Sequence, residues 1–220
     1  TLAGFLVHPN LAAVLLVDHP DAKVQSTNII NYLQKNQCDI LPAVHQAVEI
    51  DSNPSQSIDQ GVQIVRNWID DANSAVLSTH DISGLKIALQ CGGSDAFSGI
   101  TGNPLMAMVS SKLIAHGGSI NFSETPELIG AESYVLNKVA SYDISDSFMG
   151  SVNRYKDWMS KHGHSADGNP SHGNLMRGLY NITIKSLGAA MKRPHDLPLE
   201  HVIQYSELMT DQGSYFMNSP

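Results

Sequence analysis

Hydrophobic and polar positions fall into short blocks along this chain, and the period changes from block to block. Leu11 to Val17 (LAAVLLV) is an unbroken apolar run, the pattern of a short parallel strand buried on both faces. A helix is expected over residues 22–36, and a weaker strand from Val44 to Ile50. The stretch DSNPSQS marks a turn and a helix start, with Ser57 as N-cap. Ile58, Val62, Val65 and Ile69 then recur at helical spacing as far as Asp70. Leu85 to Leu89 reads as the next strand. Leu105, Val109 and Leu113 read as the buried stripe of the following helix, which Gly117-Gly118 ends. Ser119 to Phe122 predicts another short strand, with a helix expected over 127–140.

Strand and helix alternate through residue 140, which predicts an α/β fold: a parallel sheet flanked by helices in Rossmann-like layers, with right-handed crossovers. Beyond that point the character changes. A helix is expected from Ser147 to His162, a polar loop rich in Gly, Asn and His over 163–177, and a short helix from Leu179 to Ala190. Periodicity is weak past Met191. The expected organisation is a sheet domain over 1–142 and a helical and loop extension over 143–220. The chain opens without Met and stops on Pro220, so it reads as a piece of a longer protein, cut short of a further α/β domain.

Composition narrows the partners. The chain is 42% hydrophobic and carries a net charge of −8, which disfavours nucleic acid and anionic membranes. No apolar run approaches the roughly 18–20 residues of a membrane span, and no basic segment precedes LAAVLLV as in a signal peptide. Only Cys38 and Cys91 are present, so a disulfide framework is not expected and a reducing, cytoplasmic compartment fits better. The sequons at Asn121 and Asn181 read as chance. If the ligand is an anion, its positive partner must be local: a few Lys or Arg, a helix N-terminus, or a metal.

The densest polar cluster, Gln90 to Pro104 (QCGGSDAFSGITGNP), lies where a strand hands over to a helix, which is where open α/β sheets bind ligands. Gly92, Gly93 and Gly99 allow close backbone approach. Ser94, Asp95, Ser98, Thr101 and Asn103 can hold hydroxyls or a carboxylate, or ligate a metal. Equally, they suit a tight turn with capping hydroxyls, with Asn103 as N-cap and Pro104 first in the helix. Cys91 is either a small buried side chain or a thiolate for Fe²⁺ or Zn²⁺. In Ser123-Glu124-Thr125-Pro126-Glu127 two carboxylates follow a strand and suit metal ligation or acid–base work. Glu127 also suits a helix N-terminus electrostatically, while Glu124, before Thr125-Pro126, is expected extended and pointing into the crevice. A third segment, Gly168 to Gly178, can fold over the crevice as a lid. Its neighbouring His162, His164 and His172 lack the spacing of a helical zinc pair and read as solvated. Lys185 is either a surface lysine or a carboxylate clamp or base.

Taken in order, QCGGSDAFSGITGNP, SETPELIGAE and GNPSHGN…IKSLG resemble the altronate/galactarate dehydratase family of sugar-acid hydro-lyases, which sulfolactate sulfo-lyase large subunits also resemble. The resemblance is strongest over 89–132. It implies loss of water from a polyhydroxy carboxylate to give a 2-keto-3-deoxy acid, with a divalent metal, Fe²⁺ or else Mn²⁺. Carried over by motif position, Asp95, Glu124 and Lys185 are the catalytic candidates and Cys91 and Glu124 the metal candidates. Ser94, Ser98, Thr101, Asn103, Asn174 and Arg177 are the substrate-binding candidates. Homo-oligomerisation is left open. The chain departs from the family in two places. Asp18-His19-Pro20 stands where a Gly-Cys-Glu-like turn is common, and Leu175 and Arg177 replace a Lys and a Gly of the lid. Either the substrate differs from altronate and galactarate, or the domain binds an acidic small molecule without turnover.

Overall fold

The computed structural model describes residues 1–36, 44–50, 53–90 and 92–219, so Cys38 and Cys91 lie outside the described residues. The chain divides into two compact units, Thr1–Thr79 and His80–Pro220. Both are parallel sheets carrying helices, the α/β architecture that the alternating pattern predicts.

The first unit runs α1 (Leu2–Leu6), β1 (Ala13–Asp18), α2 (Ser26–Lys35), β2 (Val44–Glu49) and α3 (Pro54–Asn73). β1 and β2 pair in parallel, from Ala13 opposite Val44 to Asp18 opposite Glu49. Leu6, Leu33, Val48 and Ile64 are buried. Asp18, in the turn that departs from the family, accepts bonds from the Ser26 N–H at 2.8 Å and its Oγ at 2.6 Å, tying the end of β1 to the start of α2. α3 starts at Pro54 and not after Ser57. The fixed φ of proline suits the first helical turn, Asn53 is the cap residue, and Ser57 is buried within the helix.

The second unit holds β3 (Lys86–Leu89), α4 (Ala96–Ile100), α5 (Gly102–Ala115), β4 (Ser119–Ser123), α6 (Glu132–Leu136), α7 (Tyr142–Lys161), α8 (His172–Met176), α9 (Ile182–Ala190), β5 (His201–Gln204) and β6 (Gly213–Asn218). Its four strands are all parallel, in the order β3-β4-β6-β5. The segment 143–220 therefore carries two strands besides its helices, and β6 lies inside the sheet. The first four residues of β6, Gly-Ser-Tyr-Phe, are all buried, as are the first four of β4. A strand covered on both faces shows no alternation, which is why the pattern past Met191 is weak. The core gathers Leu89, Ile120, Phe122, Val135, Phe148, Val152, Leu199 and Phe216. The Phe216 ring meets Phe148 edge-on at 5.0 Å and Phe122 at 5.5 Å.

Two helices differ from expectation. The helix expected over 127–140 is a 3₁₀ turn (Thr125–Leu128) followed by the short α6, with Gly130 at φ 91° between them. In α5 the buried residues are Ser110 and Leu113, whereas Leu105 and Val109 are exposed. That helix is apolar nearly all round (LMAMVSSKLIA), so periodicity does not choose its inner face. Among the described residues no helix is long and apolar enough to cross a membrane.

Candidate functional site

In a parallel sheet every strand ends on the same edge, and that edge is where such sheets bind ligands. In the second unit it carries the loop after β3, the turn after β4 and the end of β6, and α9 packs against both the turn and α4.

Glu124 follows β4 in a left-handed conformation, φ 73° and ψ 87°, not the extended one expected from sequence. The end of β6 holds it there. The Glu124 N–H donates to Ser219 Oγ at 3.1 Å, and the Thr125 N–H to the Ser219 carbonyl at 2.9 Å. Thr125 Oγ1 donates to Asn218 Oδ1 at 2.9 Å and accepts from the Ser219 N–H at 3.2 Å. A non-glycine residue kept in this region costs about 1–3 kcal/mol and persists only where its surroundings over-determine it. The Glu124 carboxylate is half-buried and has no hydrogen-bond or ion-pair partner among the described residues.

Glu127 has a different role from the one its sequence position proposes. It is buried, and its Oε1 pairs with Lys185 Nζ of α9 at 3.0 Å. Lys185 donates a second bond to Asn169 Oδ1 at 2.6 Å, while Glu127 Oε2 is buried without a partner among the described residues. The Lys185 charge is thus met inside the protein.

The polar atoms of the loop after β3 also bond locally. Asp95 is the N-cap of α4: its carboxylate accepts from the Ser98 N–H at 2.6 Å, and Ser98 Oγ donates to the Asp95 carbonyl at 2.8 Å. Thr101 Oγ1 donates to the Phe97 carbonyl at 2.8 Å. Asn103 is not the N-cap of α5, which is Thr101. Its amide crosses to the Gly188 carbonyl at 2.7 Å and holds α5 against α9. Gly99 and Gly188 make the closest approach there, since a Cβ on Gly99 would lie 3.4 Å from the Gly188 Cα.

The lid segment meets this loop. Asn174 donates to the Ser94 carbonyl at 2.9 Å and shares a capping box with Ser171, and the Ala96 N–H donates to the Arg177 carbonyl at 3.0 Å. The Arg177 guanidinium bonds the Gly173 carbonyl at 3.2 Å. Ser94, Asp95, Ser98, Asn103 and Asn174 thus bond around α4 and its contact with α9, Lys185 lies on α9, and Glu124 lies on the turn that α9 also touches. His162 bonds the Trp158 carbonyl at 2.8 Å and lies against the Trp158 ring. Among the described residues no three His, Cys, Asp or Glu side chains come together where a metal ion could sit; Cys91, one of the two metal candidates, lies outside them.

Arg193 escaped the sequence reading, since nothing in KRPHD marks it. Its buried guanidinium donates to the carbonyls of Val135 at 3.1 Å, Lys138 at 3.0 Å and Leu197 at 3.1 Å, and burial pushes its pKa below the usual arginine value. It fastens the segment after α9 to α6.

The strand ends of this parallel sheet thus carry a strained, unpartnered glutamate and a buried Lys–Glu pair, the frame of an α/β protein with its polar groups gathered at one sheet edge. Residues 82–220 match the family model described as D-galactarate/Altronate dehydratase, C-terminal, which covers almost the whole second unit, and the chain belongs to that family. It is 34% identical over 166 residues to the altronate dehydratase of Bacillus subtilis, covering 76% of this chain and 33% of that protein. It is 28% identical over 220 residues to the Escherichia coli altronate dehydratase, covering 100% of this chain and 43% of that protein. It is also 28% identical over 225 residues to the (2R)-sulfolactate sulfo-lyase subunit beta of Chromohalobacter salexigens, covering 100% of this chain and 55% of that protein. The chain thus spans a third to about half the length of these relatives.

Proposed function

We propose that the protein carrying this chain is a hydro-lyase that dehydrates a sugar acid, an aldonate or aldarate, to a 2-keto-3-deoxy acid. The observation that carries this reading is Glu124: a glutamate held in a costly backbone conformation at the end of a central strand, with its carboxylate uncommitted. Family membership supplies the reaction class.

The chemistry asks for a base beside C2, the carbon next to the substrate carboxylate. In this proposal Glu124 takes the C2 proton as the C2–H bond breaks. The carboxylic acid so formed is the donor for the C3 hydroxyl, which leaves as water. The resulting enol takes a solvent proton at C3 and becomes the 2-keto acid. Asp95 and Lys185 serve as positioning residues, the first by capping α4 and the second by holding Glu127 and Asn169. A divalent metal, Fe²⁺ or Mn²⁺, belongs to the proposal on the family resemblance, with Glu124 and Cys91 as candidate ligands. The partner is a small polyhydroxy carboxylate.

The test is a panel of aldonates, aldarates and sulfolactate offered in D₂O to the whole protein, purified without oxygen and supplied with Fe²⁺ or Mn²⁺. One deuterium at C3 of a 2-keto product is the expected result. An unchanged panel would remove the reading. The rival, a domain that binds an acid without turnover, draws on a specific observation: Asp95, Ser98 and Thr101 all bond to their own backbone. Tight binding of one acid with no product would favour it.

A further inference from the structure

Lys192 lies just past α9 and is only 7% exposed. Unlike that of Lys185, its ammonium has no hydrogen-bond or ion-pair partner among the described residues. The chain of carbons is buried, while the ammonium is not among the fully buried polar atoms that lack a partner, so it keeps contact with open space. Ser110, on the inner side of α5 and 2% exposed, is likewise without a side-chain partner among the described residues. Both line one cavity of about 530 Å³ at the end of β3. Its walls include Leu89 and Val109, and the first turn of α5, Gly102 and Asn103, forms part of its lining. α5 is 14 residues long, so its N-terminus carries a real partial positive charge. The Asn103 amide bond to Gly188 ties that turn to α9, the helix that leads into Lys192.

We propose that Lys192, Ser110 and the first turn of α5 form a subsite for the carboxylate group of a small acid. An unpaired lysine, a hydroxyl donor and a helix N-terminus line the same cavity, and each favours an anion. Apolar walls strengthen the charge interaction by excluding water. On a protein of net charge −8, this is the local positive spot that an anionic ligand needs. The identity of the acid rests on the sugar-acid reading; the subsite does not.

The test uses the whole protein and calorimetric titration with two probes, galactarate and the plain monocarboxylate propionate. Lys192→Met removes the charge and keeps the volume, and is expected to weaken binding about 10- to 100-fold. The ammonium makes no ion pair among the described residues, so its removal should leave the unliganded melting temperature nearly unchanged, which separates a lost site from a lost fold. Ser110→Ala, the second variant, is expected to weaken binding several-fold. If propionate binds wild type but not Lys192→Met while no sugar acid binds, the subsite stands and the sugar-acid reading falls. If galactarate binds wild type and Lys192→Met equally, the subsite is overturned and the sugar-acid reading survives. If neither probe binds wild type, the subsite is overturned.

Discussion

Holding a glutamate at φ 73° costs about 1–3 kcal/mol, and a glycine removes most of that cost. Glu124→Gly is therefore expected to raise stability by up to about 1 kcal/mol in urea unfolding while abolishing turnover. Glu124→Gln keeps the strain and should leave stability unchanged. Equal stability of the glycine variant and the wild type would show that the turn carries no strain. The Lys185–Glu127 pair gives the opposite kind of result. Lys185→Met leaves a buried carboxylate without its cation and is expected to cost about 3–5 kcal/mol. A double variant, Lys185→Met with Glu127→Leu, should recover most of that loss, because an apolar pair of similar volume has no charge to desolvate. A double variant as unstable as the single one would contradict this account of the pair.

Among the elements, the clearest electrostatic link joins α6 to α7. Burial pushes the Glu132 carboxyl up, but its hydrogen bond and charge contact with Lys156 at 2.7 Å, with help from the Gly130 N–H, leave its pKa below the usual 4.5. A group whose folded pKa is depressed stabilises the fold above its unfolded pKa and loses that contribution as pH falls through the folded value. Glu132→Gln is therefore expected to cost about 0.5–1 kcal/mol at neutral pH, since the lysine side is partly exposed. The difference should vanish in acid well below 4.5; a difference independent of pH would assign the loss to packing.

The same scale shows what the sequence makes legible. β2, β3 and β4 fall within a residue of their predicted spans, because turn signals bound each of these short segments. The three motif segments lie as the pattern places them, at the exits of β3 and β4 and around α8. The sequence reading names Asn103 as the cap and misses the capping role of Asp95, although Asp-Ala-Phe-Ser has the spacing of a capping box. Other features had no local signal. The left-handed turn at Glu124 comes from bonds to Ser219, 95 residues away. Which lysine is paired and which is free depends on whether Glu127 reaches α9. β6 was missed because a strand covered on both faces does not alternate, and β5 because its four residues are too short a run to show a period.

For the whole molecule, the order β3-β4-β6-β5 makes the last strand of the chain an inner strand of the second sheet. The unit therefore closes only when residues 213–218 are in place. Phe216, fully buried between Phe122 and Phe148, is the anchor of that closure. Phe216→Ala is expected to cost about 3–5 kcal/mol, read by chemical denaturation. It should also loosen the Glu124 turn, which β6 holds. A loss under about 1 kcal/mol would mean that the aromatic cluster repacks without it. The family match spans residues 82–220, nearly the same range as this unit, so the unit that folds around β6 is also the unit that carries the family's sequence.

The most direct measurement compares wild type and Glu124→Gln in the whole protein, prepared without oxygen and supplied with Fe²⁺ or Mn²⁺. Formation of 2-keto acid from galactarate, altronate and related sugar acids is followed alongside substrate affinity. The account expects turnover in wild type, with kcat lower by at least about 100-fold in Glu124→Gln and affinity nearly unchanged. A variant that turns over at the wild-type rate would contradict the role of Glu124, and a wild type that converts none of these acids would contradict the dehydratase itself.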